Sequence, residues 1–409
     1  MNNNKKFSIG FINTDELGLW TGEVSVYTAN MAKLYRNNGH KVHLFVRNNL
    51  PIPNNLKNVY IHFIKSPKRI GLFTLLKYRF NKKLALRELY KKALFEEVQA
   101  VFNKGFIDVI DVPEKTGIAE KLFELNIPTT VSFHYADHLE KSFDEKFKET
   151  KISSLIELDE KMILSKAHSY ISPSKHISNF YRKNNSISTL DSIFYVNYPF
   201  ETKFFTEIEP KLSDDTINIL ISTRYQKRKR IDEFLEEITK TILKKSYDKK
   251  IEFTFIGLED KKIINKIRSN PYYNKNVFYQ KYVVRPKFRD QYAMANIVVF
   301  PTTSESFSYT LAESLFSKKI VIVASNSGND ELIEDGVDGF VFENDNFEHL
   351  VRILDSIISK DKLRNFISSN LSEQTQNYFN YTRVYQRSKS AYMRAMIDYN
   401  KVEEEIDEE

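Results

Sequence analysis

The sequence predicts an α/β protein made of two doubly wound, Rossmann-like parallel-sheet domains. Three observations predict it. Short β-branched runs alternate with segments of helical period in both halves of the chain, the pattern of consecutive βαβ units. A chain of 409 residues with 41% hydrophobic and 13% aromatic content can fill two cores and is too long for one ordinary core. Between Asn197 and Ser213 a polar stretch punctuated by Pro199 and Pro210 reads as a hinge.

In the first half, residues 7–13 read as a strand, 25–38 as a helix ending at Gly39, and 41–46 as the next strand. The loop between the first two, N-T-D-E-L-G-L-W-T-G-E-V, places Gly22 just before the helix. One glycine there permits close backbone approach to a diphosphate at the helix N-terminus. The loop holds no G-x-G-x-x-G, which counts against a dinucleotide dehydrogenase. Trp20, the single tryptophan, could stack on a sugar face or simply pack. After a basic segment, residues 107–111 read as a strand, 117–125 as a helix, 129–133 as a strand ending at His134, 152–167 as a long helix, and 170–172 and 193–197 as strands. The second half alternates strand and helix from Ile217 to about Leu371. A last helix over 382–399 carries Val384, Tyr385, Tyr392, Ala395, Met396 and Tyr399 on one side. The expected domains are therefore 1–200, with a basic helical insertion at 65–104, then 201–381, then a closing helix and acidic tail at 382–409.

Composition narrows the chemistry. The absence of cysteine excludes disulfides, thiolate metal sites and a cysteine nucleophile. No apolar run approaches the ~18–20 residues of a membrane span, and the start M-N-N-N-K-K leads into a strand, not a signal h-region, so the cytoplasm is the expected compartment. The formal charge is +7, yet the tail V-E-E-E-I-D-E-E holds six acids and no base, so the rest of the chain is more basic still. Much of that excess lies in the insertion, where Lys68, Arg69, Lys77, Arg79, Lys82, Lys83, Arg87, Lys91, Lys92 and Lys104 flank apolar residues such as Leu72, Phe73, Leu76, Leu84 and Leu89. Such a basic amphipathic region suits either a solvated helix pair or an anionic membrane surface. No zinc, helix-turn-helix or RNP pattern accompanies it, so no nucleic-acid partner is expected.

The most informative stretch is F-P-T-T-S-E-S-F-S-Y-T-L-A-E, residues 300–313. The apolar run from Ala293 to Pro301, with N-I-V-V-F within it, reads as a buried strand closed by Pro301, and Leu311, Leu315 and Phe316 recur at helical spacing after it. A helix is expected to begin near 306–308, where Ser306 or Ser308 can cap it. Glu305 then sits at a strand's carboxyl end beside a helix N-terminus, where open parallel sheets bind ligands. Glu313 lies about two turns further on. The same spacing also fits a capping box and a surface glutamate.

Glu305 to Glu313 resembles the E-x7-E motif of retaining glycosyltransferases of the GT-B fold, family 4. The likeness continues downstream in V-I-V-A-S-N-S-G-N-D-E-L-I-E-D-G-V-D-G (321–339) and upstream in I-L-I-S-T-R-Y-Q-K-R-K-R-I-D-E-F (219–234). Within the latter, Arg224 is followed five residues later by Lys229, and Asp232 matches the Asp that opens the family's helix. F-T-F-I-G (253–257) and residues 277–282 are similar to the strands bracketing the nucleotide pocket, which places Gly257, Tyr282 and Val283 on its lining. The resemblance implies two domains facing across a cleft, with the C-terminal helix crossing back to the first. It implies transfer of a sugar from a nucleoside-diphosphate donor, with UDP ahead of GDP, to a glycan or lipid-linked acceptor in cell-surface polysaccharide or glycoconjugate synthesis, with no obligatory cofactor or metal. Arg224 and Lys229 would stabilise the departing diphosphate. Glu305 would bind sugar hydroxyls, the backbone of Phe307 and Ser308 the phosphate or sugar, Leu311 would line the pocket, and Glu313 would hold the ribose diol. Gly22 would approach the diphosphate and His134 would face the donor sugar. The resemblance also implies front-face attack, with the leaving oxygen taking the acceptor's proton, and the two-carboxylate glycosidase scheme fits poorly. Ser306 and Ser308 stand where the family often has glycine, which leaves the donor sugar open; Lys318 and Lys319 replace small residues and are expected to face solvent. A nucleotide-sugar epimerase on the same fold and a non-catalytic nucleotide-sugar-binding scaffold are the competing classes.

Overall fold

The computed structural model describes residues 6–15, 22–47, 52, 54–65, 70–78, 81–143, 149–184, 187, 192–281, 283, 285–361 and 371–407. The chain divides into two compact units, Met1–Pro199 with Tyr381–Glu409, and Phe200–Asn380.

In the first unit, strands β1 (Ser8–Ile12), β2 (Lys41–Arg47), β3 (Tyr60–Ile64), β4 (Val109–Pro113), β5 (Thr129–Ser132), β6 (Ser169–Ser172) and β7 (Ile193–Tyr195) form one sheet in the order β3-β2-β1-β4-β5-β6-β7. The pairings are parallel, with Phe11 opposite both Leu44 and Asp111. Elements on both faces explain the near-continuous apolar character of β2 and β4. Helix α1 (Glu23–Asn37) follows β1 and buries Val24, Tyr27, Met31 and Leu34, which recur at three- and four-residue intervals.

The basic insertion contains α2 (Leu72–Lys77) and α3 (Lys82–Phe102). Among its described residues, two cations face inward. Lys91, 4% exposed, pairs with Glu120 at 2.6 Å and Asp159 at 2.9 Å, while Arg87 pairs with Asp159 at 2.6 Å and donates to the carbonyl of Thr116. Buried cations require such partners, so these two hold α3 to its unit and leave the surface to Lys77, Lys82, Lys83, Lys92 and Lys104. Lys68, Arg69, Arg79 and Trp20 lie outside the described residues.

Where the sequence predicts one helix over 117–125, the structure has 3₁₀ turns at Lys115–Gly117 and Glu120–Leu125. Thr116 and Gly117 both have positive φ, 68° and 63°. A Cβ at Gly117 would stand 2.4 Å from that of Asp159, and the Thr116 amide donates to buried Glu160 at 2.8 Å. Tight approach of α4 (Lys151–Lys166) thus overrides the helical pattern here. The unit's fifth helix is α5 (Lys175–Lys183), capped by Ser174.

The C-terminal helix, Tyr381–Asp407, packs on β4 to β7 and α1 and belongs to this unit. Val384, Tyr392 and Ala395 are buried, as the apolar stripe predicts. Polar contacts fix its register: Tyr392 donates to Asp111 at 2.5 Å and Tyr385 meets His40 Nε2 at 2.8 Å. Asp111 also accepts from Tyr27 and Ser132. Burial raises its pKa although these hydroxyls oppose the shift.

In the second unit, β8 (Thr216–Ser222), β9 (Lys250–Ile256), β10 (Val277–Gln280), β11 (Ile297–Phe300), β12 (Ile320–Ala324) and β13 (Phe340–Phe342) stand in the order β10-β9-β8-β11-β12-β13, again parallel. Helices α6 (Lys203–Thr206), α7 (Ile231–Lys240), α8 (Lys261–Arg268), α9 (Arg285–Met294), α10 (Tyr309–Phe316) and α11 (Phe347–Ser359) complete what positions the site. The i, i+3, i+4, i+7 set Ile231, Phe234, Leu235 and Ile238 of α7 packs with Leu350, Leu354 and Ile357 of α11 in one core. Ala293 and Met294 end α9, so the strand predicted before Pro301 is shorter, beginning at Ile297.

Lys319 departs from expectation. Lys318 is exposed with a φ of 57°, and that turn carries Lys319 inward at the foot of β12, where it is 4% exposed. Burial lowers its pKa to about 8. The unfolded chain therefore binds more protons than the folded one from about pH 8 to the ordinary lysine value, and stability rises with pH across that window. Lys319→Met is expected to stabilise the protein at pH 7 by about 1–3 kcal/mol in urea titrations, with the gap to wild type narrowing as pH rises above 8; a gap independent of pH is the contrary result.

Candidate functional site

The carboxyl ends of β8, β11 and β12 lie side by side because those strands are neighbours in the sheet. Three loops leave them and are stitched together by backbone. The Arg228 carbonyl accepts from the Thr303 amide at 2.9 Å, and the Glu305 amide donates to the Ser327 carbonyl at 2.7 Å. Asn344 Nδ2 adds a bond to the Thr303 carbonyl. Ser308, not Ser306, caps α10 by accepting from the Leu311 amide at 3.2 Å.

Glu305 is buried in this corner between two cations. Arg228 Nη1 lies 2.8 Å from Oε2, and Lys229 Nζ contacts Oε1. The run Lys227–Arg230 reads in sequence as a solvated face with Lys229 selected by the register of Asp232. In the structure Arg228 is 5% exposed and Lys229 partly exposed; sequence reasoning singled out Lys229 for a diphosphate, passed over Arg228, and foresaw neither ion pair with Glu305. The available signal was an Arg beside that Lys, since a guanidinium fork is the cation best suited to a buried carboxylate. Arg230 takes a left-handed conformation with φ 54°, turning the chain into α7.

Glu313 is buried too, which rules out a surface glutamate, and with Leu311 at N3 the Ser308 cap is not a capping box. Tyr292 of α9, fully buried, donates to its Oε2 at 2.9 Å. Phe307 is buried against Tyr309 and Phe379, and Leu311 is fully buried. Gly257 ends β9 beside Thr223, and Val283 is half-buried. Arg224 leaves the end of β8 exposed to solvent and outside the Glu305 cluster. Tyr282 lies outside the described residues.

The first unit holds the other predicted residues. Gly22 is the N-cap of α1 and supplies no side-chain cap. Asp15 does so instead: its Oδ2 accepts from the Ser25 amide at 3.0 Å. A Cβ at Gly22 would fall 1.9 Å from that oxygen, so the glycine is needed for the carboxylate to reach the helix. An internal anion thus occupies the N-terminus at which the sequence suggests a diphosphate.

His134 is buried just past β5. Its amide donates to both oxygens of buried Glu114, at 2.7 and 2.9 Å. Its Nδ1 lies 3.0 Å from the Tyr198 hydroxyl and 3.4 Å from Glu23 Oε1. The Tyr198 proton is directed to the Phe133 carbonyl, so in the neutral ring Nδ1 carries hydrogen and Nε2 an open lone pair. Nε2 is buried with no hydrogen-bond partner among the described residues. Glu23, Asp15 and Tyr198 carried no signal of this role in sequence. Among the described residues no three His, Asp or Glu side chains form a metal-ligating group.

Residues 204–374, nearly all of the second unit, match the family described as glycosyl transferases group 1. The second unit is a group 1 glycosyltransferase domain. Capsular polysaccharide biosynthesis glycosyltransferase CapM of Staphylococcus aureus is 26% identical over 227 residues, which span 53% of this chain and 58% of that protein. The chain thus matches little more than half of the curated relative's length. Sucrose-phosphate synthase from Thermosynechococcus elongatus superposes with a TM-score of 0.73 at 15% identity, over 95% of this chain and 99% of that one. HepE of Anabaena, in complex with UDP and glucose, gives 0.66 at 15% identity over 94% and 99%. The fold is GT-B, and the Glu305 corner lies within the group 1 domain.

Gly22→Ala is expected to push Asp15 off the α1 N-terminus and cost about 0.5–2 kcal/mol, the range for a lost cap. Asp15→Ala should cost a similar amount, and the double variant no more than either. Additive losses in urea unfolding would show that the two residues act separately.

Proposed function

We propose that the chain is a retaining, metal-independent glycosyltransferase. It moves a sugar from a nucleoside-diphosphate donor, UDP-linked in the first instance, to a glycan or lipid-linked acceptor in cell-surface polysaccharide or glycoconjugate synthesis. The observation that carries the proposal is Glu305, buried with two cations at the carboxyl ends of β8 and β11 inside a group 1 domain. HepE, solved with UDP and glucose, supports the donor class, and CapM supports the acceptor class.

In this reading Lys229 and exposed Arg224 neutralise the diphosphate as the bond from the anomeric carbon to the phosphate oxygen breaks. The acceptor oxygen bonds to the anomeric carbon from the same face, and its proton passes to the departing phosphate oxygen. Glu305 holds donor-sugar hydroxyls. Glu313, oriented by Tyr292, takes the ribose diol, while Gly257, Val283, Phe307, Ser308 and Leu311 shape the pocket. In the first unit His134 accepts from a substrate hydroxyl through Nε2, and Gly22 leaves room for the Asp15 carboxylate at the α1 N-terminus. The two cations Lys229 and Arg224 do the work a divalent ion would otherwise do.

Glu305→Ala and Lys229→Ala are each expected to lower transfer by about 100-fold or more with the fold retained, read by mass spectrometry of products and circular dichroism. EDTA should leave turnover unchanged, and NMR should find the donor's anomeric configuration retained. Near-normal turnover in either variant, or an inverted product, would defeat the reading. Residues 65–104 are proposed to dock on anionic membrane through Lys77, Lys82 and Lys83 with exposed Leu76 beside them. Sedimentation with phosphatidylglycerol vesicles should be salt-sensitive and fall when Lys82 and Lys83 become Glu; no binding at low salt removes this part.

A further inference from the structure

The two cations on Glu305 are held very differently. Arg228 donates through Nη1 to the Ser304 carbonyl at 2.6 Å as well as to Glu305, and through Nη2 to Gln226 Oε1 at 3.0 Å. Its own carbonyl accepts from the Thr303 amide and from the hydroxyls of Thr302 and Thr303. A planar guanidinium tied at both terminal nitrogens has little freedom to leave. Lys229 is a single ammonium on a flexible stem, with 17% of its side chain exposed against 5% for Arg228. A buried carboxylate that lost both partners at once would be strongly disfavoured, whereas losing one leaves it neutralised.

We infer that Arg228 is the positioning residue for Glu305: it fixes Oε2 and the Ser304 carbonyl while Lys229 leaves Oε1 for the donor's diphosphate, freeing that oxygen for a sugar hydroxyl. The exchange rests on the transferase reading; the Arg228–Glu305 lock does not. Diphosphate binding and sugar orientation become one event, because the cation that recognises the first is the one that releases the ligand for the second. Ser304 and Glu305 are adjacent, so a single guanidinium sets both the backbone and the side chain of the sugar-binding corner.

The test separates the two cations. Arg228→Gln is expected to lower kcat by about 100-fold with donor KM changed less than about threefold, as misplacement of a positioned group does. Arg228→Lys should recover part of the loss, and Lys229→Gln should instead raise the Kd for UDP in calorimetry. Turnover of R228Q within about twofold of wild type overturns the inference. So does a rise in donor KM at constant kcat, which would make Arg228 a donor ligand. A second measurement needs no substrate. In apo protein, R228Q and E305Q should each lower Tm, with the double variant no lower than R228Q alone; additive losses overturn the lock. If wild type turns over no nucleotide sugar the transferase reading fails, and the apo cycle still decides Arg228.

Discussion

A carboxylate taken out of water must be neutralised where it lies, and in the second unit that constraint organises the ends of three strands. Glu305 sits where β11 gives way to α10. Its charge draws in Arg228 and Lys229 from the turn after β8, while its amide is bound by the loop after β12. The neighbouring strand order makes these contacts possible. Their strength in a place of low dielectric makes the loops a rigid corner instead of three independent connections. A ligand arriving there meets a Glu305 carboxylate and a 302–305 backbone whose orientation is already set, which is how such a site can favour a charged transition state over a ground state.

The first unit solves a similar problem with neutral donors. Asp111 is held by the hydroxyls of Tyr27, Ser132 and Tyr392, and Glu114 by the His134 amide and the Tyr181 hydroxyl. Glu160 takes the amides of Thr116, Asp137 and His138. Burial raises the pKa of Asp111 and of Glu114, and in each the bound donors work the other way. Glu114 and Glu160 tie the segments leaving β4 and β5 to helices behind them, and Asp111 ties the C-terminal helix to the sheet. His134 takes its backbone position from Glu114 and its tautomer from Tyr198, so the orientation of its Nε2 is fixed before any substrate arrives.

Much of the fold was legible because periodicity records burial directly. The apolar strands, the i, i+3, i+4 stripes of α7 and α11, and the serine cap of α10 are local patterns with local causes. Glu305 stood out in its own segment as a glutamate at a strand's carboxyl edge, whereas Lys229 was singled out only by the resemblance of residues 219–234 to a family motif. Arg228 was not. A run of four cations looks alike residue by residue, and only packing against the 302–305 loop distinguishes the buried member from its solvated neighbours. Lys319 misled for the same reason, its burial following from the turn at Lys318. The helix expected over 117–125 gave way because α4 approaches too closely at Gly117.

The sequence by itself determined the class of the protein: two α/β halves, parallel sheets, and acidic and basic residues placed at strand ends. These follow from the order of short-range signals along the chain. Only the tertiary structure decided which charges meet. Asp15 filling the N-terminus of α1, Tyr392 reaching Asp111, Tyr292 orienting Glu313 and Arg228 gripping Glu305 join residues far apart in sequence or masked by like neighbours. The physical reason is that burial creates the demand for a partner, while strand order and loop packing decide who supplies it. Neither is written in any single segment.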